Sequence, residues 1–280
     1  MPFPADPVLF AKLADAIVEA GRHVVIEADR IRVLEGVQKD PENPTTDLDR
    51  ETDALLLRAL TAAFPPGAFP AYLSEERSDD GLRLSAGDVF LVDPIDGTRN
   101  LVAGRREATI SVALWREGDL AWGCVHQPFL GQTFTAVRGG GAFLNGMPIH
   151  ATTIGRTEDA RLFLSRHEHR RGWLAPLEGR VRYEAVGSCA YKMACVAAGL
   201  CDGTVTVHPR SEWDVAAGTL LVQEAGGIVT DRFGHPYRFN QPDVRVHGVV
   251  ASGAALHPAL LSLSSFLDAG DSAEVTSGRR

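Results

Sequence analysis

The chain has 280 residues, 45% of them hydrophobic and 23% charged, which suits one large globular domain or two tightly packed halves around an ordinary core. A formal net charge of −8, with no Lys/Arg-rich run, excludes a nucleic-acid polymer as the expected partner. No apolar run is long enough to span a bilayer, and no basic and then apolar leader opens the sequence, so no membrane partner and a cytoplasmic location are expected.

Residues 6–34 carry Leu9, Leu13, Ile17, Ala20, Val24, Ala28 and Ile31 at helical spacing and predict a long amphipathic helix. The Pro- and Asn-rich run GVQKDPENPTTD reads as a loop. Thr46 or Asp49 is placed to cap the next helix, whose expected apolar face holds Ala54, Leu56, Leu57 and Leu60. Ala71–Ser74 reads as a short strand running into acidic residues. Asp88–Val92 reads as a buried strand that stops at Asp93-Pro94, because proline cannot donate to a ladder.

From Thr109 to Asn145 the pattern is an antiparallel meander with Gly-rich turns. Beyond residue 155 strands and helices alternate: RLFLS, VRYEAVG, CDGTVTVHP, GIVTD and VRVHGVVAS as strands, with HRRGWLAPLE, CAYKMACVAAG, WDVAAGTLLVQEAG and ALHPALLSLSSFLD as helices. Such alternation predicts a layered α/β fold. The expected organisation is an N-terminal α+β half over 1–150, a C-terminal α/β half over 151–268, and a polar tail over 269–280 without fixed structure. Cys124, Cys189, Cys195 and Cys201 form no C-x-x-C pair, so they read as buried free thiols of a reducing compartment, not as a zinc site.

Chemistry concentrates in Asp93-Pro94-Ile95-Asp96-Gly97-Thr98. A strand delivers two carboxylates three residues apart, and a helix starting at Gly97-Thr98 offers backbone N–H groups to phosphate oxygens. The plain alternative is a turn followed by an N-cap. Glu75-Glu76 follows a strand, and extended backbone sends only one of the two into any site; a solvated acidic loop is the alternative. Asp214 opens a helix, where an N-cap role competes with metal ligation. Asp47, Asp49 and Asp53 imitate the start of a calcium loop, but Thr52 and Arg58 stand where that loop needs Gly and Glu. Together, four remote segments offer only oxygen ligands, which select Mg²⁺, Mn²⁺ or Ca²⁺ over zinc. Shared carboxylates can hold two cations about 3.5–4 Å apart, the spacing used for in-line attack on phosphorus.

TTDLDRETD, SEE, VDPIDGTRN, GGGAFLNG and EWDVAAG, in this order, resemble the inositol monophosphatase superfamily of magnesium-dependent, lithium-sensitive phosphatases. The resemblance implies an αβαβα sandwich of the inositol monophosphatase and fructose-1,6-bisphosphatase type. It implies two or three Mg²⁺ ions, replaceable by Mn²⁺, on Glu75, Asp93, the Ile95 carbonyl, Asp96 and Asp214. Thr98 and Glu75 would activate water, Asp49 would bond the Thr98 hydroxyl, and the Gly97 and Thr98 amides would hold phosphate. A small phosphate ester is the implied substrate and a homodimer an implied assembly.

An acidic residue seven positions before the second-half Asp holds ring hydroxyls in animal inositol monophosphatases; here that position is Val207. SRHEH, GSCAYK and HPRSEWD instead are similar to segments of 3′(2′),5′-bisphosphate nucleotidases, which makes Arg166, His167, Lys192 and Arg210 the expected substrate contacts. A bisphosphate nucleotidase is therefore the leading expectation, with an inositol, sugar or histidinol phosphatase as the alternative. A metal-independent carboxylate hydrolase and a non-catalytic metal- or ligand-binding protein are the rivals from other classes.

Overall fold

The computed structural model describes residues 6–31 and 47–267. Thr46, the 36–46 loop and the 269–280 tail lie outside the described residues. Helix α1 (Pro7–Ile31) buries Leu13, Ile17, Ala20 and Val24 along one stripe. Helix α2 (Asp47–Ala62) begins two residues before Asp49, so Asp49 sits inside the first turn and is no cap. Its buried face is Leu48, Asp49, Thr52, Asp53, Leu56 and Leu60, while Ala54 points to solvent. The expected apolar stripe is thus half polar, because this helix turns carboxylates inward.

A seven-stranded sheet follows in chain order: β1 (Ala71–Ser74), β2 (Asp88–Asp96), β3 (Thr109–Arg116), β4 (Asp119–Gln127), β5 (Gln132–Val137), β6 (Gly141–Leu144) and β7 (Met147–Pro148). Only the β1–β2 pair is parallel. Alternation along β2 sends Phe90 and Val92 to the core beneath α1 and α2, and Val89 and Leu91 to the opposite core.

The expected stop at Asp93-Pro94 does not occur. Pairing with β3 jumps from Asp93–Ser111 to Asp96–Thr109, so Pro94 and Ile95 together oppose one residue. Pro94 sits in this bulge, where a missing N–H costs no ladder bond.

The opposite core is closed by helices α5 (Cys189–Ala197) and α6 (Glu212–Glu224). These two also cover a second sheet ordered β12 (Gly227–Thr230), β14 (Val249–Gly253), β10 (Gly203–Thr206), β8 (Arg161–Ser165) and β9 (Arg182–Val186). On its far side Leu162, Leu164, Val205 and Val250 pack with Leu256 and with Leu260 of α7 (His257–Phe266). The layers are therefore α, β, α, β, α, as expected. Two expectations are corrected in detail. The helix expected from HRRGWLAPLE is a single turn, α4 (Arg166–Arg170), and a separate 3₁₀ turn at Ala175–Leu177. The strand expected from VRVHGVVAS splits into β13 (Arg245–Val246), which pairs with β11 (Arg210–Ser211), and β14, with Gly248 at a φ of 72° between them. Short α3 (Thr98–Val102) follows β2 directly.

Helices α5 and α6 touch at Gly218, where an added Cβ would lie 2.7 Å from Met193 Cβ and 2.9 Å from its sulfur. Alanine normally favours a helix over glycine by about 1 kcal/mol. Here overpacking outweighs propensity, so Gly218→Ala is expected to destabilise by about 1–3 kcal/mol. Urea unfolding checks this; a variant more stable than wild type contradicts the tight contact.

Candidate active site

Three elements converge at one end of the first sheet. Glu75 follows β1 directly, and its N–H donates to the Val92 carbonyl (3.2 Å), which holds it beside β2. Asp93 lies in β2 at the bulge, 1% exposed, and its Oδ1 accepts the Ile95 N–H at 3.0 Å. Asp214 is the third residue of α6. It closes a capping box in which the Ser211 N–H donates to Asp214 Oδ2 at 2.9 Å. The N-cap itself is Ser211, and Asp214 joins the cap while also facing the other carboxylates. One ligand oxygen from each of Glu75, Asp93 and Asp214 lies within 4.8 Å of the others.

The helix start is braced from below. Glu212 accepts the Asn240 and Gln241 N–H groups at 2.7 and 2.8 Å, and buried Arg83 donates to Asn240 Oδ1 at 2.6 Å. Ser111 Oγ donates to the Trp213 carbonyl at 3.1 Å.

A pocket of about 310 Å³ opens over this cluster, lined also by Asp49, Glu76, Ile95, Asp96, Gly97 and Thr98. Both Glu75 and Glu76 line it, where the sequence admits one; only Glu75 reaches the three-carboxylate cluster. Gly97 has φ 111°, and a Cβ there would come within 2.6 Å of the Glu107 carbonyl, so both conformation and space require glycine. Thr98 Oγ1 lies 2.5 Å from Asp49 Oδ1 and 3.0 Å from the Ile95 carbonyl. Its single proton goes to the nearer, charged acceptor. Of the neighbouring acids, Asp53 is spent on Arg77, Ser74 and Tyr72, and Asp47 pairs with Arg50. Asp96 ends β2, and its Oδ2 accepts from Ser188 Oγ (2.7 Å) and the Ala190 N–H (2.6 Å).

Burial first, and neighbouring carboxylates second, push Glu75 and Asp93 well above the ordinary carboxylate range. Burial and then Asp96 raise Asp214 as well. An all-oxygen donor set that resists ionising is a fit site for a hard divalent cation, whose charge removes the repulsion.

The other end of the pocket is cationic and aromatic. Arg166 lines it but is bound bidentately to Glu107 at 2.8 and 2.6 Å, and Glu107 also accepts the Gly187 N–H. His167 Nδ1 lies 3.2 Å from Arg99 Nη1, and its ring clusters with Trp173 and His208 at centroid distances of 5.7–5.9 Å. Burial, then Arg99, pushes His167 down to about 4, so the imidazole is neutral at physiological pH. Lys192 also lines the pocket, although it is only 2% exposed and its Nζ donates to the Ser188 carbonyl at 2.8 Å. Arg210 lines the wall, and its buried Nε has no hydrogen-bond partner among the described residues. Val207 is 1% exposed inside the core around the second sheet, away from the pocket. Sequence reasoning missed Glu107, Ser188 and Glu168. Fully buried Glu168 accepts the Val207 and His208 N–H groups at 2.8 Å each and braces the wall from behind.

Residues 6–269 match the family model described as the inositol monophosphatase family. The chain belongs to this family. It is 31% identical over 254 residues to the inositol-1-monophosphatase of Bacillus subtilis, covering 87% of this chain and 91% of the relative. It is also 31% identical over 260 residues to the histidinol-phosphatase of Chlorobaculum parvum, covering 90% and 95%. The solved structure of the Thermotoga maritima IMPase superposes with a TM-score of 0.80 at 27% identity, covering 94% of this chain and 98% of that one. Enzymes of this family are phosphatases, and the chain is accordingly a phosphoric monoester hydrolase. No helix among the described residues is long and apolar enough to cross a membrane.

Raised carboxylates make the metal-free fold pH-sensitive. The unfolded chain loses these protons first, so stability falls as pH rises from the ordinary carboxylate range towards neutrality. The metal-free melting temperature is expected to drop over that interval, and saturating Mg²⁺ to abolish the drop. Differential scanning calorimetry with and without Mg²⁺ checks it; parallel pH profiles would contradict the clustered charge.

Proposed function

We propose that the chain hydrolyses small phosphate monoesters with the help of divalent cations that Glu75, Asp93, Asp96, Asp214 and the Ile95 carbonyl would hold. The observation that carries this reading is the three-carboxylate cluster standing beside a Thr98–Asp49 hydroxyl–carboxylate pair. Mg²⁺ suits the hard oxygen donors best, with Mn²⁺ as a substitute. Such cations supply charge neutralisation for the phosphoryl group and acidify bound water.

The side chains do the rest. With its own proton committed to Asp49, Thr98 Oγ1 has lone pairs that can accept a hydrogen bond from the attacking water and fix its approach. Glu75 faces the same space and takes up the proton as the nucleophile forms. The Gly97 and Thr98 N–H groups are the donors for the phosphoryl oxygens. Phosphoryl transfer asks for positioning and electrostatics more than for covalent work, and this arrangement offers both. Thr98→Ala is expected to lower kcat by about 10²–10⁴-fold while leaving Mn²⁺ affinity nearly unchanged. Steady-state kinetics beside calorimetric Mn²⁺ titration checks it; equal loss of both would make Thr98 merely structural.

For the substrate, the wall of His167 and His208 with Trp173 behind them offers neutral rings, flanked by Arg99, Arg170 and Arg210. Such a wall suits a planar heterocycle and a second anionic group, as in a nucleoside 3′,5′-bisphosphate. An inositol, sugar or histidinol phosphate is the second reading, favoured by the names of the Bacillus and Chlorobaculum relatives. Against a polyol stands Val207, which offers no acceptor to ring hydroxyls. Phosphate release from 3′-phosphoadenosine 5′-phosphate, inositol 1-phosphate and histidinol phosphate, with Mg²⁺ and with EDTA, decides between them. The bisphosphate is expected to have the highest kcat/KM and EDTA to abolish turnover. A tenfold advantage for inositol 1-phosphate would reverse the substrate assignment, and full activity in EDTA would overturn the metal-dependent reading.

A further inference from the structure

Ser188 stands at the junction of β9 and α5 with φ 61° and ψ 124°, a backbone conformation that side chains disfavour. It is 6% exposed and touches three separate parts of the molecule through one hydroxyl. Ser188 Oγ lies 2.7 Å from Asp96 Oδ2, 2.9 Å from Thr109 Oγ1 and 3.0 Å from the Tyr191 nitrogen.

The valence of a hydroxyl fixes the direction of each bond. Oγ has one proton and two lone pairs. A carboxylate only accepts, so the proton goes to Asp96. The Tyr191 N–H donates to one lone pair, and the Thr109 hydroxyl is left to donate to the other. Every valence of Ser188 Oγ is used.

Asp96 receives a second bond on the same oxygen, from the Ala190 N–H at 2.6 Å. Oδ2 is thereby saturated by the start of α5, and Oδ1 remains for a cation. Thr109 is the residue opposite Asp96 in the β2–β3 ladder, so the relay closes on the strand that carries the carboxylate.

We infer that Ser188 is a positioning residue for the metal site: with Thr109 behind it, it locks the Asp96 carboxylate in the rotamer that presents its free oxygen to the cation. The strained serine backbone is retained because the hydroxyl is needed at that point. The same junction holds the substrate wall, since the Gly187 N–H donates to Glu107, which clamps Arg166. The inference rests on the phosphatase reading for the existence of a cation, but its main test needs no turnover.

Ser188→Gly is the clean probe. Glycine accepts the positive φ and remains a tolerable N-cap, so the hydroxyl is removed while the backbone is relaxed. Mn²⁺ binding to the full-length protein is measured by isothermal titration calorimetry. Loss of an outer hydrogen-bond partner of a metal ligand weakens metal affinity by about 10–100-fold, and a shift in that range is expected. Thr109→Val, which removes the supporting donor alone, is expected to shift affinity in the same direction by less. In kinetics, the Mg²⁺ concentration for half-maximal turnover should rise much more than kcat at saturating Mg²⁺ falls, with KM for the ester little changed.

An Mn²⁺ isotherm for Ser188→Gly that overlays wild type overturns the inference and leaves the phosphatase reading standing. A uniform loss of kcat at every Mg²⁺ concentration, with unchanged half-saturation, also overturns it and reduces Ser188 to a helix cap. Wild-type protein that binds no divalent cation overturns both.

Discussion

Like charges held close together are what the rest of this molecule is built to tolerate. Two carboxylates about 4 Å apart near a protein surface repel by about 4 kcal/mol when both are ionised. Glu75, Asp93 and Asp214 stand in that relation, with Asp49, Glu76 and Asp96 lining the same pocket. No local segment would adopt such a geometry by itself. It persists because each acid is fixed by backbone that has other reasons to be where it is. Glu75 is tied to β2 through its N–H, Asp93 to the bulge, and Asp214 to the capping box. A divalent cation turns the same arrangement from repulsive to attractive, which is why an all-oxygen cluster of this density implies metal chemistry.

The layered fold explains how the acids meet. Helix α6 is sandwiched between the two sheets, and its residues from Val215 to Val222 are buried. A helix in that position cannot slide, so its N-terminal turn is a rigid platform. The Arg83–Asn240 and Glu212 bonds extend the rigidity to the loop beneath it. The bulge at Pro94 supplies the remaining degree of freedom. It shortens the β3 side by one residue, so the chain reaches Asp96 and turns sharply at Gly97. The proline that seems to end the strand is instead the residue best suited to an unpaired position within it.

Much of this was legible in the sequence where chemistry and chain order coincide. Asp93, Asp96, Gly97 and Thr98 are contiguous, and strand-to-helix punctuation surrounds them, so the run reads directly. The apolar run that makes Asp88–Val92 a strand buried on both faces was equally plain. Other residues gave no signal because tertiary contact alone makes them matter. Glu107 lies in a connecting loop and Glu168 in a one-turn helix, and neither spacing nor composition marks them. Ser188 falls in the GSCAYK segment, but nothing in that segment shows that it caps α5 and binds Asp96. Lys192, expected from the GSCAYK resemblance as a substrate contact, lines the pocket while its Nζ donates to the Ser188 carbonyl. In α2, Thr52 and Asp53 take buried positions that hydrophobic periodicity would assign to apolar side chains, because Asp53 gathers Arg77, Ser74 and Tyr72.

The pocket is polarised, and the polarity constrains what enters it. The carboxylates share the pocket with Arg99 and Arg170 and with neutral His167, while Arg210 lies close enough to Asp214 to lower its pKa against burial. Without cations an anionic ester meets repulsion at the carboxylate cluster, the proposed place of hydrolysis. With cations bound, both ends attract anions, although the protein as a whole carries a net charge of −8. Recognition is then local, and long-range steering of an anion is weak. A substrate with a single phosphate would engage one end and leave the guanidinium end without a partner from the ligand. A second anionic group, or a ring stacked on the imidazoles, uses both. Since every favourable contact at the far end fixes the distance to Thr98, such a substrate would also be the better positioned for in-line attack. Under the proposed function, specificity would follow from the spacing between cations held at the carboxylates and the guanidinium groups of Arg99 and Arg170.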